Sequence, residues 1–380
     1  MMRGASLKLA TRLAPVLALA AMLCASAAQA GPFGGSMSES IVAKDMNPAG
    51  DTVLESITGY GARQAFLRSG GQRYNIGTFG GEESTAAAIN GAGVVTGSAQ
   101  AADYTWHAYR FDKRSGLREL DTLGGASSAG TAINEQGHIV GHADTYDGSY
   151  HAFIDTGITM LDLGTFGGKN SYALGINAHD VVVGAADRAN GFRRAFIYKP
   201  GIGKIEIPDV GDRHSVAMAI NDNGVVVGTM QMQDRSWHAF SYDGLRTVDL
   251  GVMMSRGNSF ATAINNNGDI VGNVRVWGRE APLVFVYSKG QMQVRDNFGQ
   301  FDLARRITDD GQIIGAGAMA RQMRAARVAH NQLESIGWPA PVDMLTYGLL
   351  ALLATFFLYK VREHLREGID FSKRLMLSIA

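Results

Sequence analysis

The stretch SFATAINNNGDIVGN, residues 259–273, places three asparagines, a glycine and an aspartate between two apolar runs. Its centre resembles an oxygen-rich metal loop, and its flanks read as two strands joined by a turn. The rest of the chain decides between these readings. Ile-Asn followed three residues later by glycine returns as AINGAGVVTG (88–97), AINEQGHIVG (132–141), AINDNGVVVG (219–228) and AINNNGDIVG (263–272), and GINAHDVVVG (175–184) keeps all but that glycine. Degenerate copies, DMNPAGDTVL (45–54) and RITDDGQIIG (306–315), bracket them. The anchors Asn47, Asn90, Asn134, Asn177, Asn221, Asn265 and Thr308 are 43, 44, 43, 44, 44 and 43 residues apart. A fixed period of this length marks a repeat architecture.

Positions within each copy recur as rigidly. Six residues before the anchor stand Ser84, Ser128, Ser171, Ser215 and Ser259, with Asp302 in the last copy. Ten before it is a glycine in four copies: Gly80, Gly124, Gly167 and Gly211. Seventeen after it lies a slot held by Gln64, His107, His151, Arg194, His238, Pro282 and Ala325. Two residues beyond the slot, the first five copies carry Phe66, Tyr109, Phe153, Phe196 and Phe240.

Alternation in S-x-A-x-A-I-N has period two, as a strand with one closely approached face requires. The serine is expected to limit space beside a neighbouring strand. The short β-branched G-x-V-V-G run predicts a second strand, the H-A-F segment a third, and LRELDTLGG or ITMLDLGTFGG a fourth. Four short strands per repeat is the pattern of a propeller blade. The expected fold is therefore all-β, a seven-bladed β-propeller over residues 38–337, with a β-solenoid as the runner-up. Closing the ring removes the exposed sheet edges of an open stack.

The segments WHAY, YHAF and WHAF, with DLGTFGG and AIN-x-x-G-x-V-V-G, resemble the HAF repeats of bacterial extracellular proteins. The resemblance implies a secreted or surface repeat protein and brings no catalytic residues with it.

The ends of the chain suggest a location. Arg3, Lys8 and Arg12, an apolar run over 13–24 and the small residues Ala28 and Ala30 read as a signal peptide over 1–30. A short leader, 31–37, follows. Cys24 is the only cysteine, so a chain cut after Ala30 has no thiol for a disulfide, a thiolate metal site or a nucleophile. Near the other end a linker with Pro339 and Pro341 (338–341) precedes an apolar segment, 342–359, long enough for one transmembrane helix. Lys360, Arg362 and Arg366 assign the tail, 360–380, to the cytoplasmic side. The 35 basic and 35 acidic residues balance, and no basic face of the size nucleic-acid binding requires is evident.

Candidate chemistry is sparse. The histidines of the slot share it with Gln64, Arg194 and Pro282, so a polar or large strand residue explains it better than zinc, whose ligands must converge within about 2 Å of one point. Asn265, Asn267 and Asp269 are the nearest approach to a calcium turn, but the equivalent turns NGAG, NEQG and NAHD lack its carboxylates. Turn chemistry, in which Asn, Asp and Gly accept positive φ, explains all copies. No cofactor is expected. Departures from the repeat, Arg213 and His214 in place of a glycine pair and Arg256 in an insert, are candidate ligand contacts. The expected role is a membrane-anchored binding or scaffold module for a protein or polysaccharide. The alternative is a propeller hydrolase or lyase acting on envelope glycans.

Overall fold

The computed structural model describes residues 40–57, 61–208, 213–251, 257–279, 282–295, 303–316 and 326–328. These form seven successive antiparallel sheets, six of four strands and the last of three, and contain no helix. Spatial order follows chain order in every sheet, so each blade is a simple meander. The inner strands are Ser40–Met46, Gly80–Ile89, Gly124–Ile133, Gly167–Ile176, Ser215–Ile220, Gly257–Ile264 and Leu303–Ile307. Blade 4 is typical: its second, third and outer strands are Val182–Arg188, Arg193–Lys199 and Gly203–Glu206. The expected propeller is present, and each asparagine anchor sits where the inner strand turns into the second. One detail differs. The glycines that end LRELDTLGG and ITMLDLGTFGG, read with the fourth strand, open the next inner strand instead, and Phe79, Leu123 and Phe166 just before such glycines make isolated parallel bridges.

The G-x-V-V-G glycine and the H-A-F aromatic are two halves of one device. Gly97 pairs with Tyr109, Gly141 with Phe153, Gly184 with Phe196, Gly228 with Phe240 and Gly272 with Phe285. Each of those rings is 0–1% exposed. On the other side the inner strand bulges toward the glycine, with register shifts such as Ala173/Gly175 and Ala217/Ala219. A Cβ on Gly141, Gly184 or Gly228 would lie 1.8, 1.9 or 2.0 Å from a carbonyl oxygen of that bulge. Only glycine lets the strands approach so closely.

The apolar core lies between blades rather than within them. One cluster joins Val140 and Ile154 of blade 3 to Ala173, Val182 and Phe196 of blade 4. Polar stitches cross the same seams. Ser84, Ser128, Ser171, Ser215 and Ser259 do more than limit space. Each hydroxyl accepts the backbone N–H of the H-A-F alanine on the preceding blade (Ala65, Ala108, Ala152, Ala195, Ala239) at 2.8–3.0 Å.

The asparagines form a second set. The side-chain amide of Asn47 donates to the carbonyl of Asn90, Asn90 to Asn134, Asn134 to Asn177, Asn177 to Asn221, Asn221 to Asn265 and Asn265 to Thr308, at 3.0–3.2 Å. Each Oδ1 closes its own turn by accepting the N–H four residues on, at 2.8–3.0 Å. Asn221→Ala would leave the Val225 N–H without its acceptor and take the cross-blade donor from the buried Asn265 carbonyl, which keeps only the Gly268 N–H. An unsatisfied buried group costs about 1–3 kcal/mol, so a loss of about 1–3 kcal/mol in urea unfolding is expected, against under about 0.5 kcal/mol for exposed Asn223→Ala.

The ladder breaks at the seam between blades 7 and 1. Thr308 has no amide, and its hydroxyl accepts only the Gln312 N–H at 2.9 Å. Here Arg306 reaches across to Asp45 with two bonds of 2.8 and 2.7 Å. The inner strand of blade 1 packs against the inner and second strands of blade 7, which brings the chain round into a ring. No helix among the described residues is long and apolar enough to cross a membrane. The expected signal peptide, leader, linker, membrane helix and tail all lie outside the described residues, as does the stretch where a fourth strand of blade 7 is expected.

Candidate functional site

The histidine slot faces the outer strand of its own blade. His107 Nδ1 lies 2.7 Å from Glu119, His151 Nδ1 2.8 Å from Asp162 and His238 Nδ1 2.9 Å from Asp249. Arg194 pairs with Glu206 at 2.8 Å, and Gln64 accepts from Asn75 at 3.4 Å. The slot thus holds a cross-strand polar pair in five blades, with no convergence on the axis. In blades 2 and 5 a hydroxyl extends the line: Thr105 Oγ1 is 2.7 Å from His107 Nε2 and Ser236 Oγ is 3.2 Å from His238 Nε2. Hydroxyl, imidazole and carboxylate in series is the order of a nucleophile relay. These hydroxyls, however, donate to Asp103 and Asp234 at 2.6 and 2.5 Å within their own turn. Hydrogen bonds from Thr105 and Ser236 hold both turn carboxylates below their usual pKa range.

Around the inner turns a further belt of hydrogen bonds joins neighbouring blades. The N–H of Gly91 reaches Glu135 at 3.0 Å, Ala178 reaches Asp222 at 2.8 Å, Asp222 reaches Asn266 at 2.9 Å and Asn266 reaches Asp309 at 2.8 Å. The calcium candidates sit inside this belt. Asn265 is committed to Thr308, Asn267 donates to the Asp309 carbonyl at 2.6 Å, and Asp269, 8% exposed, lies 3.3 Å from the Asn265 amide. No group of three or more His, Cys, Asp or Glu among the described residues is arranged to hold a metal ion.

Where blades 3, 4 and 5 meet, the side chains depart from the repeat. His214 Nδ1 accepts the Arg193 N–H at 3.1 Å, and its ring centroid is 5.2 Å from that of Phe192. Burial, followed by the Arg193 charge, lowers its pKa. The carbonyl of Arg213 accepts from Arg194 at 2.5 Å. The structure therefore places both candidates on the blade 4–5 seam, while Arg256 lies outside the described residues. Arg193 bonds Asp187 at 2.8 Å and lies 4.9 Å over the Tyr172 ring. Tyr172 in turn packs against His142, with centroids 5.2 Å apart, and Tyr150 stands 6.3 Å from the same imidazole.

Sequence reasoning did not single out His142, although it was discoverable. It occupies the place of Ser98, Ala185, Thr229 and Asn273 in other copies. Its Nδ1 is buried without a hydrogen-bond partner. Burial pushes the imidazole pKa down to about 4 from 6.5. The folded state binds this proton less readily than the unfolded one, so stability falls as pH drops from about 6.5 to about 4. Over that window the loss is about 3 kcal/mol at 1.36 kcal/mol per pKa unit. Denaturant midpoints measured from pH 7 to 4 should show a shallower decline for His142→Asn than for the natural protein.

The turns between second and third strands present large rings to solvent. Tyr104, Tyr146 and Trp277 are 70%, 93% and 80% exposed, on blades 2, 3 and 6. Because strands alternate in direction, these turns share the face opposite the asparagine turns. They stand on one face as separate exposed rings.

A family described as a protein of unknown function (DUF3466) matches residues 169–282, from the start of blade 4 into blade 6. No curated protein sequence matches the chain. Among solved structures, the β-propeller domain of the trilobed protease from Pyrococcus furiosus, described as having an open velcro topology, is similar. It is 11% identical with a TM-score of 0.54, over 79% of this chain and 99% of that one. A puromycin-hydrolyzing peptidase from Mycobacterium tuberculosis is 10% identical with a TM-score of 0.54, over 82% of this chain and 56% of its own. An acylaminoacyl peptidase from Pyrococcus horikoshii is 12% identical with a TM-score of 0.50, over 78% and 52%. This chain spans about half the length of the two peptidases. At these identities the likeness shows the propeller fold alone.

Proposed function

We propose that this chain is an exported, membrane-anchored β-propeller that serves as a non-catalytic binding or scaffold module at the cell envelope, with a protein or polysaccharide as ligand. The observation that carries it is the division of labour among side chains. The recurring serines, asparagines and slot residues are engaged in seams and cross-strand pairs, while Tyr104, Tyr146 and Trp277 stand exposed on one face. Exposed rings on rigid turns suit stacking on sugar rings or packing against a protein surface. The HAF-like segments and the signal-like residues 1–30 support export, and the apolar segment 342–359 supports the anchor. Nucleic acid has no support in the charge balance.

Ser236, His238 and Asp249 give the hydrolase reading a foothold, as Thr105, His107 and Glu119 do on blade 2. Asp234 weighs against it by holding the hydroxyl proton. A single assay separates the two. Purified protein is incubated with insoluble peptidoglycan sacculi, and both the pellet and the released fragments are followed. Binding predicts retention in the pellet with no soluble muropeptides. Release of fragments that His238→Ala abolishes would establish the hydrolase instead. The anchor is tested separately: deleting residues 342–380 should move the protein from the membrane to the soluble fraction.

A further inference from the structure

The outer rim of blades 3, 4 and 5 carries a feature that neither the repeat nor the proposed ligand face uses. The turn between third and outer strands bears an aliphatic tip in each: Ile158 is 95% exposed, Ile202 70% and Leu245 87%. Three residues further on, the outer strands expose Leu161, Ile205 and Val248 at 46%, 45% and 43%. Blade 2 has Ser115 and Arg118 near these places, and blade 6 has Gln291 and Gln293. Among the described residues the apolar pairs are thus confined to three consecutive blades. Exposed aliphatics scattered singly need no explanation, but these recur at equivalent places on neighbouring blades.

We propose that this rim is a second membrane contact, in which the three tips enter the headgroup region of an anionic lipid surface beside the anchor. The proposal rests on the anchored reading above. Three observations select lipid as the occupant. The tips protrude on separate turns of separate blades, so each can enter a fluid surface independently, whereas a protein partner would need a continuous matching face. Exposed cations stand at the same level: Arg246 follows Leu245 directly, and Lys289 occupies the corresponding turn of blade 6. Aliphatic side chains flanked by basic ones are the composition of interfacial membrane contacts. Asp243, the acidic residue of the blade 5 turn, is engaged by the Leu245 and Arg246 N–H groups at 2.9 and 2.7 Å.

The path of the chain supplies the third observation. Ala326–Val328 is the third strand of blade 7 and runs toward the same face as these tips. From there to Val342 the chain can span at most about 50 Å when fully extended, which keeps the anchor within reach of the rim. Near the axis that face is acidic, with Glu135, Asp222 and Asp309 on the inner turns. The propeller therefore leans on blades 3–5 and holds its acidic mouth off the headgroups. Its aromatic face is then turned away from the membrane, where a ligand can reach it.

The test uses the full chain with Cys24→Ser, reconstituted into vesicles of phosphatidylcholine and phosphatidylglycerol. Single cysteines from Ile158→Cys, Ile202→Cys, Leu245→Cys, Tyr104→Cys or Leu350→Cys carry an environment-sensitive fluorophore. Nitroxide-labelled lipid should quench and blue-shift the probes at 158, 202, 245 and 350, and leave 104 unchanged. Quenching at 350 with none at 158, 202 and 245 would overturn the rim contact while the anchor stands. Quenching at the three rim positions but not at 350 would support the rim and remove the anchor. Quenching at 104 equal to that at the rim would overturn the lean. Leaving out phosphatidylglycerol should weaken quenching at the rim and spare it at 350, and equal quenching in both vesicles would overturn the part assigned to anionic headgroups.

Discussion

Gly184→Ala is expected to destabilise the propeller by about 3 kcal/mol or more, at the upper end of what overpacking costs. The added Cβ would stand 1.9 Å from the Tyr172 carbonyl oxygen and 2.9 Å from the Ala173 Cα. Both obstacles are backbone, held in place by the bulge and by the ladder of the inner strand. A flexible side chain could step aside, but a hydrogen-bonded strand moves only by giving up its register. Gly191→Ala is the matched control. That glycine also resists a side chain, through its φ of +84°, but meets nothing within 4 Å. Left-handed strain alone costs roughly 1–2 kcal/mol. Urea unfolding followed by far-ultraviolet circular dichroism should rank the two in that order. Adding Phe196→Leu to Gly184→Ala should not restore stability, because the blocking atom is the carbonyl and not the ring.

The second large effect is expected at the ring seam. Asp45 is 2% exposed and gathers four bonds: two from Arg306, one from the Ile89 N–H at 3.1 Å and one from the Met46 N–H at 2.9 Å. Asp45→Ala removes all four at once and takes the acceptor from two backbone donors, for about 3 kcal/mol. Arg306→Ala should cost less, about 1–2 kcal/mol, because its side chain is 42% exposed and Asp45 keeps both N–H bonds. No asparagine amide bridges this seam, so opening should begin there. Hydrogen exchange in Asp45→Ala should rise in 40–57 and 303–316 before it rises in blades 3 and 4. Uniform acceleration around the ring would contradict that.

A sequence period carries some features of a fold and not others. Blade number, strand order and the turn after each asparagine follow from spacing and alternation, which are properties of one repeat. The partners of Ser215 and Asn221 do not. Ala195 and the Asn265 carbonyl belong to neighbouring copies, and which edge of a strand faces which neighbour is set by how the blades pack. The serine therefore read as a small residue when its hydroxyl was the informative part. The glycine-to-aromatic pairing was written in the motifs as two separate recurrences, but joining them needs the register between second and third strands. His142 stood out only against an aligned column of Ser98, Ala185, Thr229 and Asn273. The exposed tips at Ile158, Ile202 and Leu245 carried no signal, because an apolar residue after a glycine reads equally well as core.

The same division between seam and surface gives the most direct test of what the protein does. Tyr104, Tyr146 and Trp277 are replaced together by serine, and the variant is compared with the natural protein in urea unfolding and in retention on sacculi. An unchanged midpoint with loss of retention is expected, since the three rings contact solvent and belong to no seam. Retention that survives their removal would contradict the assignment of the aromatic face as the binding surface.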